Sequence, residues 1–255
     1  RLLSFNMQVG IGTRRYRDYV TRGWRHLLPS LQVQENLDRI AQMVMDFDIV
    51  ALQEIDAGSR RSSYQNQIEW LARAAKFEYW HVQVNRDLGR IAQHGLGLLA
   101  RYEPYEVTEH KLPGAIPGRG ALIARFGDSE NPLIVVVTHL ALTKRTRSVQ
   151  LAKICALTKP FKNVILMGDT NCSSQNLIDD DALAGGQLCV HPQLLPTFPS
   201  WRPRRGIDHI LVSPGIEVQS ANTVPVKLSD HLPLAMEVTL PTAVSDSLRA
   251  AQTAG

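Results

Sequence analysis

The sequence predicts an α/β (α+β) protein in which mixed β-sheets are covered by helices. Strand-sized apolar runs recur along the 255 residues, and most are apolar nearly throughout, which is typical of strands covered on both faces. Helical patterns separate the early strands, whereas the later half is richer in strands, so a mixed sheet system is favoured over a purely parallel one. With 44% apolar and 20% charged residues, the composition is that of an ordinary globular chain.

The strands are predicted from the apolar runs in chain order. They are Leu2–Met7, Ile49–Gln53, Tyr79–Val84, Leu96–Ala100, Gly120–Phe126, Leu133–Thr138, Val164–Met167, Asp208–Val212 and Leu234–Leu240. Apolar residues at helical spacing predict helices at about Glu35–Phe47 and Gln65–Lys76. A third helix contains Leu151 and Cys155 and is closed by Pro160. Since no repeat or linker interrupts the chain, residues 1–241 are predicted as one domain, followed by a flexible tail over residues 242–255.

Several protein classes are disfavoured by the same sequence. The longest apolar stretches, such as Leu133–His139, are far too short for a membrane span. Cys155, Cys172 and Cys189 have no CxxC or zinc spacing, which favours reduced thiols in a cytosol-like compartment. The chain begins at Arg1 without a methionine, so removal of an upstream segment stays open beside the favoured cytoplasmic location. A monomer is expected.

The positive charge is concentrated near the amino terminus. The chain carries a formal net charge of +4, and residues 12–27, with five arginines and one aspartate, hold the whole excess. A solvated loop and a surface for a phosphate-bearing substrate are both compatible with this segment. A second basic and aromatic stretch, residues 197–208, contains Arg204 and Arg205. The arginines expected to bind substrate are Arg14, Arg15, Arg17, Arg204 and Arg205.

Polar residues capable of chemistry lie at the ends of the predicted strands. They are Asn6, Glu54, His139, Asp169 with Asn171, Asp208, and the run Ser229-Asp230-His231. A single carboxylate after a strand is usually a cap or turn residue, but six such ends are harder to explain in that way. Carboxylate and amide oxygens suit Mg²⁺ or Mn²⁺, and histidines suit acid–base catalysis. Together with nearby arginines, they indicate metal-assisted attack of water on a phosphoester.

In this order the segments resemble the signature of the endonuclease/exonuclease/phosphatase family, from Asn6 to about Leu240. The motifs are Asn6, Gln-Glu54, Thr-His139-Leu, Gly-Asp169-Thr-Asn171, Ile-Asp208-His-Ile-Leu and Ser-Asp230-His231. The resemblance implies a four-layer αββα sandwich, in which two packed mixed sheets are flanked by helices and the site lies at one end of the sheets. It also implies that residues 1–241 are a catalytic domain.

The resemblance further implies a role for each motif. Glu54 would hold the divalent metal with Asn6 beside it, and Asp230 would be a further ligand. Asp169 would orient or deprotonate the attacking water, and Asn171 would hold a phosphate oxygen.

The histidines would complete the site. His231, oriented by Asp208, would contact the scissile phosphate and take part in proton transfer, and His139 would stabilise the phosphorane or protonate the leaving oxygen. Which histidine is the acid stays open. The partner of His139 is not identifiable from the sequence. His94 could be that partner, but a histidine in a turn is the favoured interpretation of His94. Arg119, at a strand start, is either a phosphate-binding arginine or a surface residue.

Three functions remain after this reasoning. A Mg²⁺-dependent nuclease is favoured, since arginines and aromatic residues lie in two segments near the cleft. A phosphatase or phosphodiesterase of a phosphorylated small molecule or lipid headgroup is the alternative. A non-catalytic binding protein is least favoured, because the full set of reactive residues is present.

Overall fold

The computed structural model describes residues 1–10, 31–62, 64–87, 89, 93–114 and 117–253. The strands in this part of the chain are β1 (Leu2–Asn6), β2 (Ile49–Asp56), β3 (Tyr79–Asp87), β4 (Gln93–Ala100), β5 (Pro104–Lys111), β6 (Gly120–Phe126), β7 (Leu133–His139), β8 (Asn163–Asp169), β9 (Asp208–Val212), β10 (Glu217–Thr223) and β11 (Leu234–Thr239). The α-helices are α1 (Leu31–Val44), α2 (Gln67–Ala75), α3 (Lys144–Thr158), α4 (Ser174–Ile178) and α5 (Thr242–Thr253). Within the described ranges, no helix is long and apolar enough to cross a membrane.

The strands form two mixed sheets. The first has the order β10-β11-β1-β2-β4-β3, and the second has the order β5-β6-β7-β8-β9. Each sheet contains one parallel pair, β1 with β2 in the first and β7 with β8 in the second. All other strand pairs in the described part of the chain are antiparallel. The two parallel pairs are joined through helices, as parallel neighbours require.

Three apolar cores separate four layers. The central core lies between the sheets, where Leu98 and Ile49 of the first sheet face Val135 and Met167 of the second. A second core packs the other face of the first sheet on α1 and α2, with Leu52 against Leu37 and Leu71 among its members. The third core packs the second sheet on α3. The predicted αββα sandwich of two mixed sheets flanked by helices is therefore confirmed.

Two strands were not expected from the sequence. β5 and β10 lie at the edges of the second and first sheet, respectively. Most of their residues are partly or fully exposed, so their sequences, Pro-Tyr-Glu-Val-Thr-Glu-His-Lys and Glu-Val-Gln-Ser-Ala-Asn-Thr, lack the apolar run of a buried strand. Charged and polar residues are typical of edge strands, because such strands must resist pairing with other chains.

The expected flexible tail over residues 242–255 is wrong for residues 242–253, which form α5. Val244 and Leu248 are four residues apart, so they lie on one helix face, and both are buried in the central core. The Ser247 hydroxyl also accepts a hydrogen bond from the Asp128 backbone N–H. The other residues of this segment are mostly small or polar, so its sequence shows no clear helical pattern of apolar residues. In the structure, α5 covers the end of the sandwich.

Candidate active site

The two parallel pairs end at the same edge of the sandwich. In the first sheet Asn6 is paired with Gln53, next to Glu54, and in the second His139 is paired with Asp169. β9 runs antiparallel to β8, so the start of β9 lies at this edge, where Asp208 is paired with Asp169. Packing of the sheets brings these ends together, so one face of the molecule collects most of the predicted reactive residues.

Glu54 reaches the site through a β-bulge. The register between β2 and β4 shifts between Gln53 and Ile55, and Glu54 has a φ of 54°, which is uncommon for a residue with a side chain. Gln53 and Ile55 are fully buried, whereas Glu54 is half-buried. The bulge thus turns one carboxylate out of a buried strand and toward the cleft.

Asn6 bridges carboxylates from the two sheets. Its Nδ2 donates to Glu54 Oε1 and to Asp169 Oδ2, each at 3.2 Å. Its Oδ1 accepts a hydrogen bond from the Gln8 backbone N–H at 3.2 Å. Asn6 therefore lies beside Glu54, with its amide nitrogen facing the carboxylates. That Asn6 binds the metal directly stays a prediction.

Asp169 is the centre of the cluster. Its Oδ2 lies 3.3 Å from His139 Nε2 and 3.9 Å from His231 Nε2. Its Oδ1 accepts a hydrogen bond from the Asn171 backbone N–H at 2.9 Å. Burial alone would raise the pKa of this carboxyl group, but the two histidines and the Asn171 N–H outweigh burial and hold the pKa below its usual range. Asp169 is thus ionised at neutral pH.

His231 and Asp208 form a buried pair. His231 Nδ1 donates to Asp208 Oδ2 at 2.8 Å, and the Thr197 hydroxyl donates to the same oxygen. Burial works against a charged imidazole, but Asp208, Asp169 and Asp230 together raise the pKa of His231 well above its ordinary value. Burial raises the pKa of Asp208. The remaining His231 nitrogen, Nε2, points toward Asp169 and is held there by the pair.

Asn171 and Asp230 flank this pair. Asn171 adopts a left-handed conformation with a φ of 55°, and its Nδ2 donates to the Leu140 carbonyl at 2.9 Å. Asp230 is buried, accepts a hydrogen bond from the Ser229 hydroxyl at 3.0 Å, and adds its charge to the surroundings of His231. Both lie at the predicted site, and their roles there stay predictions.

Among the residues that the structure describes, two groups of side chains have the chemistry of a metal site. Ligand atoms of Asp169, Asp208 and His231 lie within 4.8 Å of one another in a buried cluster. In this cluster His231 Nδ1 and Asp208 Oδ2 already pair with each other. The other group, Glu54 and Asp169 with Asn6 between them, offers carboxylate oxygens beside the open cleft, which fits a hard divalent cation.

A cavity of about 210 Å³ opens beside Glu54 and His139. Its described lining includes Arg119, Arg86, Asn85 and His94. Burial lowers the pKa of the Arg119 guanidinium, and the negative charges of Asp169 and Glu54 oppose that shift. The cavity therefore combines a carboxylate for a cation with arginines suited to a phosphate. His94 shares this cavity with His139, but its role as the orienting partner stays a prediction.

Of the two arginine-containing segments, the structure describes residues 197–208. Arg14, Arg15 and Arg17 lie outside the described residues. Arg204 and Arg205 are exposed, and the Arg205 guanidinium lies 6.0 Å from the centre of the Phe198 ring. That ring is 5.0 Å from the His231 ring. The second segment therefore touches the site directly.

Four residues in this region escaped the sequence reasoning. Thr197 and Phe198 contact Asp208 and His231, while Asn85 and Arg86 line the cavity from the β3–β4 hairpin. The sequence did point to the region of Thr197 and Phe198, because the 197–208 stretch runs directly into Asp208. No sequence pattern pointed to Asn85 and Arg86, because the pairing of β3 with β4 brings them to the cleft.

A family model and several solved structures match this chain. The model of the endonuclease/exonuclease/phosphatase family matches residues 3–231. No curated protein matches the sequence. Among solved structures, an endonuclease/exonuclease/phosphatase from Beutenbergia cavernae DSM 12333 is 19% identical, with 94% of this chain and 71% of that chain covered and a TM-score of 0.73.

Two further structures share the fold. A mannosyl-6-phosphatase from Bacteroides thetaiotaomicron VPI-5482 is 21% identical, with 94% of this chain and 99% of that chain covered and a TM-score of 0.66. TDP2 from D. rerio, complexed with a single-stranded DNA product, is 17% identical, with 93% and 98% covered and a TM-score of 0.69. The match of the family model over nearly the whole chain is the deciding finding. The chain belongs to the endonuclease/exonuclease/phosphatase family of phosphoester hydrolases.

Proposed function

We propose that this chain is a Mg²⁺-dependent phosphoesterase that hydrolyses phosphodiester bonds, with nucleic acid as its favoured substrate. The observation that carries the proposal is a cluster beside the cleft, in which Asn6 hydrogen-bonds to Glu54 and Asp169, and His139 and His231 lie within 4 Å of Asp169. Such a cluster combines anionic oxygen ligands with two imidazoles, the groups that hydrolysis of a phosphoester by water requires.

Glu54 and Asp169 would hold the cation, with Asp230 as a further candidate. Mg²⁺ is favoured and Mn²⁺ is an alternative, because the available donors are oxygens and no cysteine lies among them. When bound, the ion would neutralise negative charge on the phosphate oxygens. The Asn6 amide would keep the two carboxylates in place without adding charge.

The chain's own groups would handle the protons. Asp169 is ionised, so it can orient a water molecule and accept its proton. His231 carries a raised pKa, so at neutral pH its imidazolium can donate a hydrogen bond from Nε2 to a phosphate oxygen while Asp208 holds Nδ1. His139, whose Nε2 lies 3.3 Å from Asp169 Oδ2, is the second candidate for proton transfer to the leaving oxygen.

Two observations bear on the substrate. Arg205 lies over Phe198, which packs against His231, so a second phosphate of a nucleic acid strand could meet this arginine beside the scissile one. The cavity beside Glu54 supports the alternative, a phosphatase of a small molecule. Arg119 and Arg86 line this cavity together with Glu54, an arrangement that suits one small phosphate-bearing group.

The experiment that tests the proposal measures hydrolysis with Mg²⁺ or Mn²⁺. Supercoiled plasmid, single-stranded oligonucleotides and a panel of phosphate mono- and diesters are compared at low salt. Glu54→Ala is expected to lower metal-dependent hydrolysis by about 100-fold. Glu237→Ala, an exposed glutamate on β11, is the matched control and is expected to leave the rate unchanged.

The outcomes separate the functions. Nicking that disappears in Glu54→Ala supports the nuclease. Turnover of a small ester alone, again lost in that variant, assigns the chain to the phosphatases or phosphodiesterases. Wild-type rates in Glu54→Ala would refute the metal-ligand role of Glu54.

A further inference from the structure

Helix α3 carries two buried polar residues one turn apart. Arg147 is 4% exposed and Gln150 is fully buried, although arginine and glutamine usually lie at the surface. A buried guanidinium is costly unless its donors are satisfied. In the described part of the chain, the hydrogen bonds of Arg147 all go to backbone carbonyl oxygens rather than to a carboxylate. Such a pair requires an explanation beyond core packing.

Arg147 connects the loops that follow β7 and β8. Its Nη1 lies 3.1 Å from the Leu142 carbonyl oxygen and 3.4 Å from those of Ala141 and Asn171. The first two carbonyls follow His139 in the chain, and Asn171 follows Asp169. One guanidinium group therefore ties together the backbones that carry a histidine and a carboxylate of the site.

Gln150 extends the connection to a third segment. Its Oε1 accepts a hydrogen bond from the Ala141 backbone N–H at 2.8 Å, and its Nε2 donates to the Pro113 carbonyl at 2.8 Å. Pro113 follows Leu112, whose backbone N–H donates to the Arg119 carbonyl at 3.0 Å. Through Gln150, the loop after His139 is thus fastened to the segment that pairs with Arg119.

We propose that Arg147 and Gln150 are positioning residues that hold His139, Asp169 and Arg119 in one reactive arrangement. This inference rests on the proposed function. Neither residue lines the cleft cavity, so each acts through the loops that it fastens. Loop backbones can drift relative to one another, and displacement of a reactive group by about 1 Å can lower turnover by about 100-fold. Charge-assisted bonds to several carbonyls restrict that drift.

The test combines kinetics with amide hydrogen exchange. Arg147→Met removes all three bonds with little change of length, and we expect kcat to fall by about 100-fold while KM changes by less than about threefold. Arg147→Lys keeps one donor near the carbonyls and should restore at least a tenth of the wild-type kcat. Arg145→Met, which changes an exposed arginine of the same helix, should behave as the wild type.

Hydrogen exchange reports on the loops without any substrate. In Arg147→Met, the amide protons of Leu140, Ala141 and Asn171 should lose protection together, and in Arg145→Met they should not. Kinetics are measured well below the melting temperature of each variant, so that the folded fraction is not the cause of a lower rate. If Arg147→Met proves unfolded, Gln150→Glu takes its place, because it loses the donor to Pro113 and keeps the acceptor for the Ala141 N–H. Its kcat should fall with the same small change in KM, and the amide proton of Leu112 should lose protection while that of Ala141 keeps it.

A wild-type kcat in folded Arg147→Met would overturn the proposal, whether KM stays the same or rises. If the wild-type protein hydrolyses no phosphoester of the panel, the proposed function fails. The exchange data then decide by themselves whether the two residues hold the loops, since unchanged protection would show that they do not.

Discussion

His209 and His231 show how a partner decides the charge of a buried side chain. Both imidazoles are more than nine-tenths buried. His231 pairs with the Asp208 carboxylate, and its pKa is raised. His209 contacts hydroxyl groups instead, with Nδ1 at 2.8 Å from Thr170 Oγ1. Burial lowers its pKa to about 4. These two histidines thus differ in charge at neutral pH, and of the pair His231 has the protonated form that the proposed chemistry uses.

The neutral His209 predicts a specific loss of stability in acid. Unfolded histidine has a pKa near 6.5, so between about pH 6.5 and pH 4 the unfolded chain takes up a proton that folded His209 does not. The free energy of unfolding should therefore fall as the pH is lowered through this window. From pH 7 to pH 5, we expect this residue to account for about 2 kcal/mol of the loss, as measured by urea unfolding.

A His209→Gln variant provides the comparison, because its amide can still bond to hydroxyl groups. Its free energy of unfolding should fall by about 2 kcal/mol less over the same pH change. An equal fall in both proteins would show that folding leaves the pKa of His209 at its unfolded value. His231 has the opposite sign, since its raised pKa contributes stability below about pH 6.5 that is lost as the pH rises toward its folded pKa.

At the scale of elements, the two parallel strand pairs position their site residues by different backbone features. β2 delivers Glu54 by a bulge with a left-handed residue. β8 delivers Asp169 directly after Gly168, which is paired with Thr138 of β7. A Cβ atom placed on Gly168 would lie 1.9 Å from the Thr138 carbonyl oxygen. A side chain is thus excluded at Gly168 by the backbone of β7, one residue before the reactive carboxylate.

Gly168→Ala is therefore expected to force β7 and β8 apart. Overpacking against a backbone oxygen should lower the free energy of unfolding by about 3 kcal/mol, as measured by chemical denaturation. Because His139 and Asp169 follow the clash directly, kcat should fall as well. Gly185→Ala is the matched control, since a Cβ there meets nothing within 4 Å. Similar effects of the two substitutions would refute this account.

At the scale of the whole molecule, the site joins the two sheets. Asn6 and Glu54 belong to the first sheet, whereas His139, Asp169 and Asp208 belong to the second. The central core aligns these edges, while α5 covers the opposite end. A cation shared by Glu54 and Asp169 would connect the layers, so its binding should stabilise the fold as a whole.

This arrangement predicts that Mg²⁺ or Mn²⁺ raises the melting temperature. At a concentration of about 100 times the Kd, the free energy of unfolding should increase by about 2.7 kcal/mol. For a domain of this size that corresponds to a rise of roughly 5–10 °C in a thermal-shift experiment. Glu54→Ala should abolish the rise, and Glu237→Ala should keep it. A rise of equal size in Glu54→Ala would place the cation elsewhere.

Prediction from the sequence was successful where burial leaves a continuous apolar signal. Strands such as β7 and β8 are buried over nearly their whole length, so their positions and the polar residues that follow them could be read directly. The edge strands β5 and β10 and helix α5 were missed, because exposed elements keep only a few apolar residues. The 197–208 stretch was noticed for its arginines, although Thr197 and Phe198 make the closer contacts.

By itself, the sequence determined the layered fold class, the family resemblance and the residue types available for phosphoester chemistry. These follow from hydrophobic periodicity and from motifs, which are local properties of the chain. Only the tertiary structure decided that Asn6 bridges carboxylates of two sheets, that a bulge aims Glu54, and that Arg147 ties two loops together. These features join residues from distant parts of the chain, so strand pairing and sheet packing bring them together and no local pattern encodes them.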